Sequence, residues 1–401
     1  MKKMDVKVVK ERVAARREID QRHPTLVDLN SRTVEGDLPF VDVIDIYAPY
    51  AYPLPTKGYD WYFYDFLDTL RDGVDRKYMW SAYQCSGIYS HHGRIGFNAR
   101  DMHMYPTAGQ FRLLCWGGIA HGIRGFMFWP ISGLLPPGDD NGDRTAESMI
   151  ISKELDVLGD DIIEGVEVRD GATADREDID IGRIDLPHHT ILIASVVRDG
   201  YEFAMDTATA TSTIELPRPD ALEGDLQAYS VSFGGFENID LQEQGGTVVL
   251  PDVDIDVTQV LVIQDDEGPR EEYESAFAQK LPEAAENTQM LLEYLHGKMS
   301  WVHKQLQALE VNVASAPDEF EEAVRLKEAS AAAFEAGNHA EAYNLCRQAQ
   351  RHYRQMLHDY RAYAASIRSE APPRVGKYLM MPYTLPRFFA AFDHTKVTAE
   401  E

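Results

Sequence analysis

The chain has 401 residues, of which 44% are hydrophobic and 26% are charged, a composition typical of a globular protein with two or three domains. The balance of 39 basic against 66 acidic residues gives a formal net charge of -27, so the chain would repel the backbone of a nucleic acid. No apolar run approaches the roughly 20 residues that a membrane-spanning helix needs. We therefore expect neither a nucleic-acid partner nor a membrane.

The cysteines and the amino terminus leave the cellular location undetermined. Cys85, Cys115 and Cys346 are far apart and odd in number, so they do not predict a disulfide framework. The first residues, MKKMDVKVVKERVAARREID, contain lysine but no apolar core. They predict a helix rather than a secretory leader.

Two short strands are predicted next. One lies in HPTLVDLN after Pro24, and the other lies in FVDVIDIYAPYAYP, where the apolar run ends at Tyr47 and an aromatic, proline-rich loop follows. A helix around Tyr62 to Arg71 leads on to a third strand. Strands and helices alternate along this part of the chain, as they do in proteins with a parallel sheet.

The stretch from Lys77 to Pro130 has the strongest pattern. Tyr78 to Tyr83 is an aromatic-rich strand, and Thr107 to His121 has a helix start signal followed by apolar residues spaced for one face. Phe126 to Trp129 then reads as a second buried strand. A strand, a helix and a strand in this order form the building block of parallel sheets.

The rest of the chain changes character twice. After a predicted helix from Arg144, short alternating runs between about Val166 and Asp265 predict an antiparallel sandwich. After Gly268 the chain is predicted to be helical, with two helices joined at Ala336-Gly337-Asn338. That hairpin is similar to a single tetratricopeptide-like repeat, so it is either an appended bundle or a surface that binds a partner.

Several residues of the central stretch occur in an order that resembles strands seven and eight of the (β/α)8 barrel in clan A, beta-galactosidase-like glycoside hydrolases. The segments IDQRHPTLVDLN and FVDVIDIYAPYAYP resemble the parts of those barrels that lead into strand five and form strand six. The matching residues of the central stretch are Trp80, Gln84, Pro106, Thr107, Gln110, Arg112, Ala120, Gly122, Gly125 and Trp129.

The resemblance and the sequence patterns together predict three regions. Residues 1–160 would be the carboxy-terminal half of a TIM barrel, 161–267 a β-sandwich and 268–401 an α-helical region. A half-barrel exposes two strand edges, which native proteins cover or pair. We therefore expect the chain to be a fragment that lacks the half of the barrel with the acid/base residue, or to be completed by a missing amino-terminal half or another chain.

The resemblance also implies that the protein acts on or binds carbohydrate. Gln84 stands where the family has its nucleophilic glutamate, and an amide cannot form the glycosyl ester of a retaining glycosidase. Whether the chain is a glycosidase therefore stays open. The alternatives are a non-catalytic sugar-binding protein and a scaffold that works through its carboxy-terminal helices.

Five further residues are candidates for this site. Asp28, near a strand end, is a substitute carboxylate or a structural partner of an arginine or a helix cap. Asp45 and Tyr47 share one strand face if the strand alternates, and Tyr50 follows in the loop. Trp129 matches the family's sugar-stacking aromatic residue, although core packing explains it equally well.

The loop after the third strand supplies the remaining candidates. His92 and Arg94 could donate hydrogen bonds to a sugar. Zinc is also conceivable, because His91, His92 and His103 lie near Cys85, but the spacing matches no ligand motif. We therefore expect solvated histidines, no metal and no other cofactor.

Overall fold

The computed structural model describes residues 6–29, 38–49, 67–69, 71–72, 79–84, 107–129, 141–197 and 210–366. They form a mixed α/β protein with one parallel sheet, two antiparallel sheets and a set of helices. Among these residues no helix combines the length and the apolar character required to cross a bilayer.

The parallel sheet has four described strands. They follow one another in the order β1-β2-β3-β4, and every neighbouring pair is parallel. This confirms the predicted parallel neighbours. Their bounds are Leu26–Leu29 for β1, Ile46–Pro49 for β2, Met79–Gln84 for β3 and Ile123–Trp129 for β4.

Helix α2, Ala108–Ala120, connects β3 to β4. Thr107 begins it with a capping box: its hydroxyl accepts from the Gln110 amide, and the Gln110 side chain accepts from the Thr107 amide. Gly122, with φ +86°, ends it in the left-handed conformation that favours glycine. The predicted helix is confirmed.

The burial of α2 is wider than the single apolar face that its sequence predicts. Phe111, Leu113 and Trp116 point in different directions around the helix, and all three are fully buried. The reason is that a strand of the antiparallel region, β7 (Ile179–Asp185), packs against the helix. A side chain at Gly182 of β7 would overlap Ala120, so the contact requires glycine.

Other segments frame the parallel sheet. The described residues 67–69 and 71–72 are helical, and Leu38–Val43 forms a 3-10 helix. Helix α1 spans Val6–Ile19 and α3 spans Gly142–Glu164. The helix predicted from Arg144 is thus present, and the predicted domain boundary after residue 160 falls inside it.

The segment after α3 forms two antiparallel sheets. One has the order β11-β10-β14-β8-β7-β5 and the other the order β12-β13-β9-β6. The bounds are β5 Val166–Val168, β6 Thr173–Ala174, β7 Ile179–Asp185, β8 His189–Val196, β9 Ala210–Pro217, β10 Gln227–Ser232, β11 Gly235–Ile239, β12 Gln242–Gln244, β13 Thr247–Ile255 and β14 Thr258–Gln264.

The two antiparallel sheets share a core. Leu192 of β8 and Leu261 of β14 belong to the same buried cluster as Ile214 and Leu250 of the other sheet. Six runs in this segment predict strands. Five of them overlap β8, β9, β10, β13 and β14, namely HTILIASVVRD, TSTIEL, QAYSVSF, GTVVLP and QVLVIQD, and the sixth, YEFAMDT, lies outside the described residues. Strand β8 is buried on both faces because its other face packs on the core around α2.

The carboxy-terminal region is helical, as predicted. Helix α4 spans Arg270–Ala308, α5 spans Ala316–Glu335 and α6 spans His339–Ser366. Gly337, with φ +79°, lies at the predicted joint between α5 and α6. Tyr353 of α6 belongs to the same buried cluster as Phe111 of α2, so these helices share the main core.

Candidate functional site

The carboxyl edge of the parallel sheet brings two of the predicted site positions together. Gln84 and Trp129 are register partners, and each is the last residue of its strand. Asp28 lies one residue before the end of β1, opposite Ala48 of β2. For Asp28, Gln84 and Trp129 the structure describes the backbone alone.

A tryptophan lies on the same pair of strands, near the amino-terminal end of β3. Trp80 of β3 is paired with Gly125 of β4, and a Cβ atom at Gly125 would overlap the indole ring. On the opposite face, Phe128 packs on Phe111 of α2, with ring centroids 5.3 Å apart. Trp80 therefore covers the face that does not pack on α2.

Asp45 does not lie at this edge, contrary to our expectation. It precedes β2, at the amino-terminal end of the strand, where one carboxylate oxygen accepts the Thr25 amide at 2.7 Å. The other oxygen pairs with Arg17 of α1 at 2.7 Å. Asp45 thus anchors α1 and the start of β1 to the sheet, and we remove it from the proposed site.

Of the four remaining predicted residues, one lies in the core and three lie outside the described residues. Tyr47 of β2 is fully buried within the main core, which favours a packing role over contact with a sugar. Tyr50, His92 and Arg94 lie outside the described residues. Their part in a sugar site stays a prediction.

A buried ionic network surrounds Arg112, one of the residues that carry the family resemblance. The guanidinium donates to Glu147 at 2.9 Å and to both carboxylate oxygens of Glu154 at 2.9 Å, and its Nε donates to the Thr258 hydroxyl at 3.1 Å. Trp116 donates its indole N–H to Glu154 at 3.1 Å. The network therefore connects α2, α3 and β14.

Helix α6 enters the same network through Arg347. Its guanidinium donates to both oxygens of Glu147, at 2.9 and 3.2 Å, and its Nε donates to the Tyr343 hydroxyl at 3.1 Å. Burial opposes the charge of Glu147, but Arg347 and Arg112 outweigh it and hold the pKa of this carboxyl below its ordinary value. Glu147 therefore stays ionised at neutral pH.

The network explains two parts of the sequence motif without any ligand. Gln110 completes the cap of α2, and Arg112 is held by carboxylates that are themselves buried. Sequence reasoning missed Glu147, Glu154 and Arg347. The only available signal was that Glu147 and Glu154 are seven residues apart in the α3 sequence, a spacing that places them on one helix face.

A second charged cluster lies at the opposite end of α2. His121 contacts Asp68 at 2.9 Å through Nδ1 and Asp180 of β7 at 2.8 Å through Nε2. Burial disfavours a charged imidazole, but Asp180 and Asp68 outweigh it and raise the pKa of His121 to about 10. The imidazolium therefore connects the antiparallel sheet to the helical residues 67–69, far from the carboxyl edge.

No family model matches the sequence, and the comparison with curated proteins finds no significant match. The structure is weakly similar to solved glycoside hydrolases. Against a family 30 subfamily 8 xylanase from Clostridium acetobutylicum, the TM-score is 0.33 and the identity 10%, over 65% of this chain and 59% of the xylanase. A family 30 endoxylanase from Clostridium papyrosolvens gives 0.34 and 9%, over 65% and 59%.

An alpha-fucosidase from Thermotoga maritima gives a TM-score of 0.28 and 13% identity, over 58% of this chain and 56% of the fucosidase. The chain thus spans less than two thirds of each of these proteins. Because all three TM-scores are low, these similarities support no conclusion about function.

Proposed function

We propose that the chain is a glycoside hydrolase-like protein that binds carbohydrate at the carboxyl edge of its parallel sheet. One observation carries the proposal: Gln84 and Trp129, two residues of the family-like motif, end neighbouring parallel strands as register partners. Active sites of (β/α)8 barrels lie at the carboxyl ends of the strands. This edge therefore lies where such barrels have their active sites. It carries an amide and an aromatic residue, both of which are suited to contact with a sugar.

The chemistry favours binding over hydrolysis by the usual retaining route. Such a route needs two carboxyl groups about 5 Å apart. Among the last two residues of each described parallel strand, Asp28 is the only carboxylate. Gln84 can donate and accept hydrogen bonds with sugar hydroxyls, but it cannot be a nucleophile.

The parallel sheet is, in this proposal, the carboxy-terminal half of a (β/α)8 barrel, and the antiparallel sheets are the sandwich that supports it. What supports this reading is the unbroken parallel order of four strands with a helix crossing from β3 to β4. Within the described residues, β1 and β4 each pair on one side only. Further strands, from this protein or another chain, would complete the barrel at these edges.

Affinity electrophoresis tests the binding proposal. The probes are four neutral polysaccharides, namely galactan, xylan, mannan and laminarin, because a chain with a charge of -27 would repel acidic ones. At least one should retard the wild-type chain. Trp129→Ala should weaken that binding about tenfold or more, the loss of roughly 1.4 kcal/mol from one stacking contact.

The matched control is Trp301→Ala, which removes an exposed tryptophan from α4. It should bind as the wild type does. If none of the four polysaccharides retards the wild type, or if both variants lose binding equally, the carbohydrate proposal is wrong.

The packing of the carboxy-terminal helices supports a structural role for them, rather than a separate scaffold function. Lys298 of α4 pairs with Asp143 at the start of α3 at 2.6 Å, and both side chains are buried. Asn344 of α6 donates to the Gly234 carbonyl at 2.9 Å. These contacts, together with the pairing of Arg347 with Glu147, hold the helices on α3 and on the turn between β10 and β11.

A further inference from the structure

A groove of about 620 Å³ lies at the amino-terminal end of the parallel sheet. It is lined by Arg124 near the start of β4 and by the helical residues 71–72, together with the end of α3 and the strand β5. A volume of this size is typical of sites for small organic molecules. Because Gln84 and Trp129 end their strands at the opposite edge of the sheet, the groove is separate from the proposed sugar site.

Two arginines on the inner side of the groove share one carboxylate. Arg71 and Arg124 both pair with Glu167 of β5, and Nη2 of Arg124 lies 3.3 Å from the glutamate Oε2. The Nη1 of Arg124 donates to the neutral carbonyls of Ile119 and Ile123, both at 3.0 Å. All three charged side chains are mostly buried. This buried group therefore carries one positive charge in excess.

The excess charge affects both guanidinium groups. Burial, together with the nearby Arg169, lowers the pKa of Arg71 to about 10, although Asp68 acts in the opposite direction. Burial and the charge of Arg71 lower the pKa of Arg124 to about 10. Both groups still carry their charge at neutral pH. An anion in the groove would compensate a charge that burial makes costly.

The charges at the rim of the groove are closer to balance. Arg169, directly after β5, pairs with Asp72, and its Nη2 donates to the Asp68 carbonyl at 3.5 Å. Glu164 at the end of α3 is exposed. Exposed carboxylates such as Asp72 and Glu164 are screened by water and salt, but they repel a ligand with two negative charges more than a ligand with one. The rim therefore favours a monoanion.

The groove also has exposed apolar side chains. Ile163 and Val166 line it, and they are 40% and 69% exposed. They are two of the six large hydrophobic side chains that the described part of the chain exposes. Covering them with an apolar group of a ligand would remove this surface from water, which is favourable. A cationic inner wall and an apolar strip thus face the same space.

We propose that this groove binds an alkyl carboxylate, with the carboxylate on Arg71 and Arg169 and the alkyl chain along Ile163 and Val166. Arg71 contacts Glu167 through Nη1, and a guanidinium has five N–H donors, so donors remain for a ligand. A carboxylate matches the planar guanidinium and can accept two hydrogen bonds from it. Its single charge equals the excess charge of the inner wall.

Isothermal titration calorimetry on the full chain tests the proposal. The probe is sodium octanoate below its micelle-forming concentration, and the reference is sodium chloride at equal ionic strength. Octanoate should give a saturable heat that chloride does not. Sodium acetate has the same carboxylate without the alkyl chain, so it should bind more weakly by about tenfold or more.

The variant Arg71→Gln removes the excess charge and should weaken octanoate binding by about tenfold or more. Its control is Arg325→Gln on α5, which removes an exposed arginine that pairs with Glu322 and does not line the groove. This control should bind octanoate as the wild type does.

The variant Val166→Asp places a carboxylate on the apolar strip and should weaken octanoate binding to a similar extent. Since Val166 is exposed, this change leaves the core intact. Its control is Val8→Asp, the same change at an exposed valine of α1 that does not line the groove. Should Arg71→Gln fail to fold, the comparison of these two valine variants decides.

Four results would overturn the proposal. Octanoate gives no saturable heat, acetate binds as tightly as octanoate, octyl phosphate binds while octanoate does not, or a groove variant binds octanoate as tightly as its control. None of these results bears on the sugar site, because the groove lies at the other end of the sheet.

Discussion

At the scale of single residues, His121 is held as an imidazolium between Asp68 and Asp180. Its pKa of about 10 exceeds the value of about 6.5 for an unfolded chain, so the folded state binds the proton more tightly. The stabilisation is fully present below about pH 6.5 and is lost as the pH rises toward 10. A shift of this size corresponds to a stabilisation on the order of 5 kcal/mol.

The variant His121→Gln removes this proton-linked stabilisation. Urea unfolding at pH 6, 8 and 9.5 should show that the difference in free energy between wild type and variant shrinks as the pH rises. The exposed histidine His23 supplies the control, since His23→Gln should unfold as the wild type does. A difference between wild type and His121→Gln that stays constant with pH would contradict the assignment.

Glu147 is the residue whose loss should matter most for stability. It is fully buried and accepts from both Arg112 and Arg347. The variant Glu147→Gln leaves two buried guanidinium groups short of a carboxylate, which should cost roughly 3–5 kcal/mol. Urea unfolding at pH 7 measures this change in the free energy of unfolding.

The control for Glu147→Gln is Glu283→Gln, because Glu283 pairs with Lys153 at the surface. That variant should keep the wild-type unfolding midpoint. Equal midpoints for Glu147→Gln and the wild type would show that the buried network contributes nothing.

At the scale of elements, the pairing of β3 with β4 depends on Gly125, over which Trp80 lies. Gly125→Ala should destabilise the protein by about 1–3 kcal/mol, because the new methyl group displaces the indole. The control Gly159→Ala adds the same methyl group to α3, where nothing lies within 4 Å. It should be neutral or stabilising, since alanine favours a helix.

Thermal unfolding should show a lower midpoint for Gly125→Ala and an unchanged or higher midpoint for Gly159→Ala. Replacing the indole by a smaller apolar side chain in the double variant Trp80→Leu, Gly125→Ala should recover part of the loss. If Gly125→Ala is as stable as Gly159→Ala, the indole of Trp80 does not pack over Gly125 of β4.

The interface of α4 with α5 and α6 should be sensitive to acid. His303 of α4 stacks on Phe320, 4.6 Å between centroids, and contacts the Tyr360 hydroxyl at 3.0 Å. Burial lowers the pKa of His303, so the unfolded chain takes up the proton first. Stability at this interface is therefore lost as the pH falls below about 6.5, the unfolded value.

The variant His303→Phe keeps the stacking but cannot be protonated. Between pH 7 and 5 it should lose less stability than the wild type, as urea unfolding followed by circular dichroism would record. An acid dependence identical to that of the wild type would assign the effect to other groups.

At the scale of the whole molecule, local signals were predictable and distant partners were not. Thr107 and Gln110 form a capping box that is readable from four consecutive residues, and Gly337 marks a helix joint in the same way. Arg112 is different, since its partners lie 35 and 42 residues away. Nothing near Arg112 in the sequence indicates a buried ionic network.

The same contrast holds for the strands and for the candidate site. The apolar runs of β1 to β4 predict a parallel sheet, but β8 is buried on both faces because a helix of another region covers it. The end positions of Gln84 and Trp129 were implied by the family resemblance, and β3 and β4 end at these two residues. The expectation for Asp45 was wrong because strand alternation predicts only the face of the sheet on which a residue lies. The end of the sheet that the residue occupies depends on where β2 begins, and β2 begins after Asp45.

Hydrogen exchange with and without a bound oligosaccharide tests the central claim most directly. The probe is an oligomer of whichever neutral polysaccharide retards the wild-type chain. We predict that it slows exchange in peptides that cover the carboxyl ends of β3 and β4, at Gln84 and Trp129. Protection confined to α4, α5 and α6, with none at these strand ends, would contradict the account.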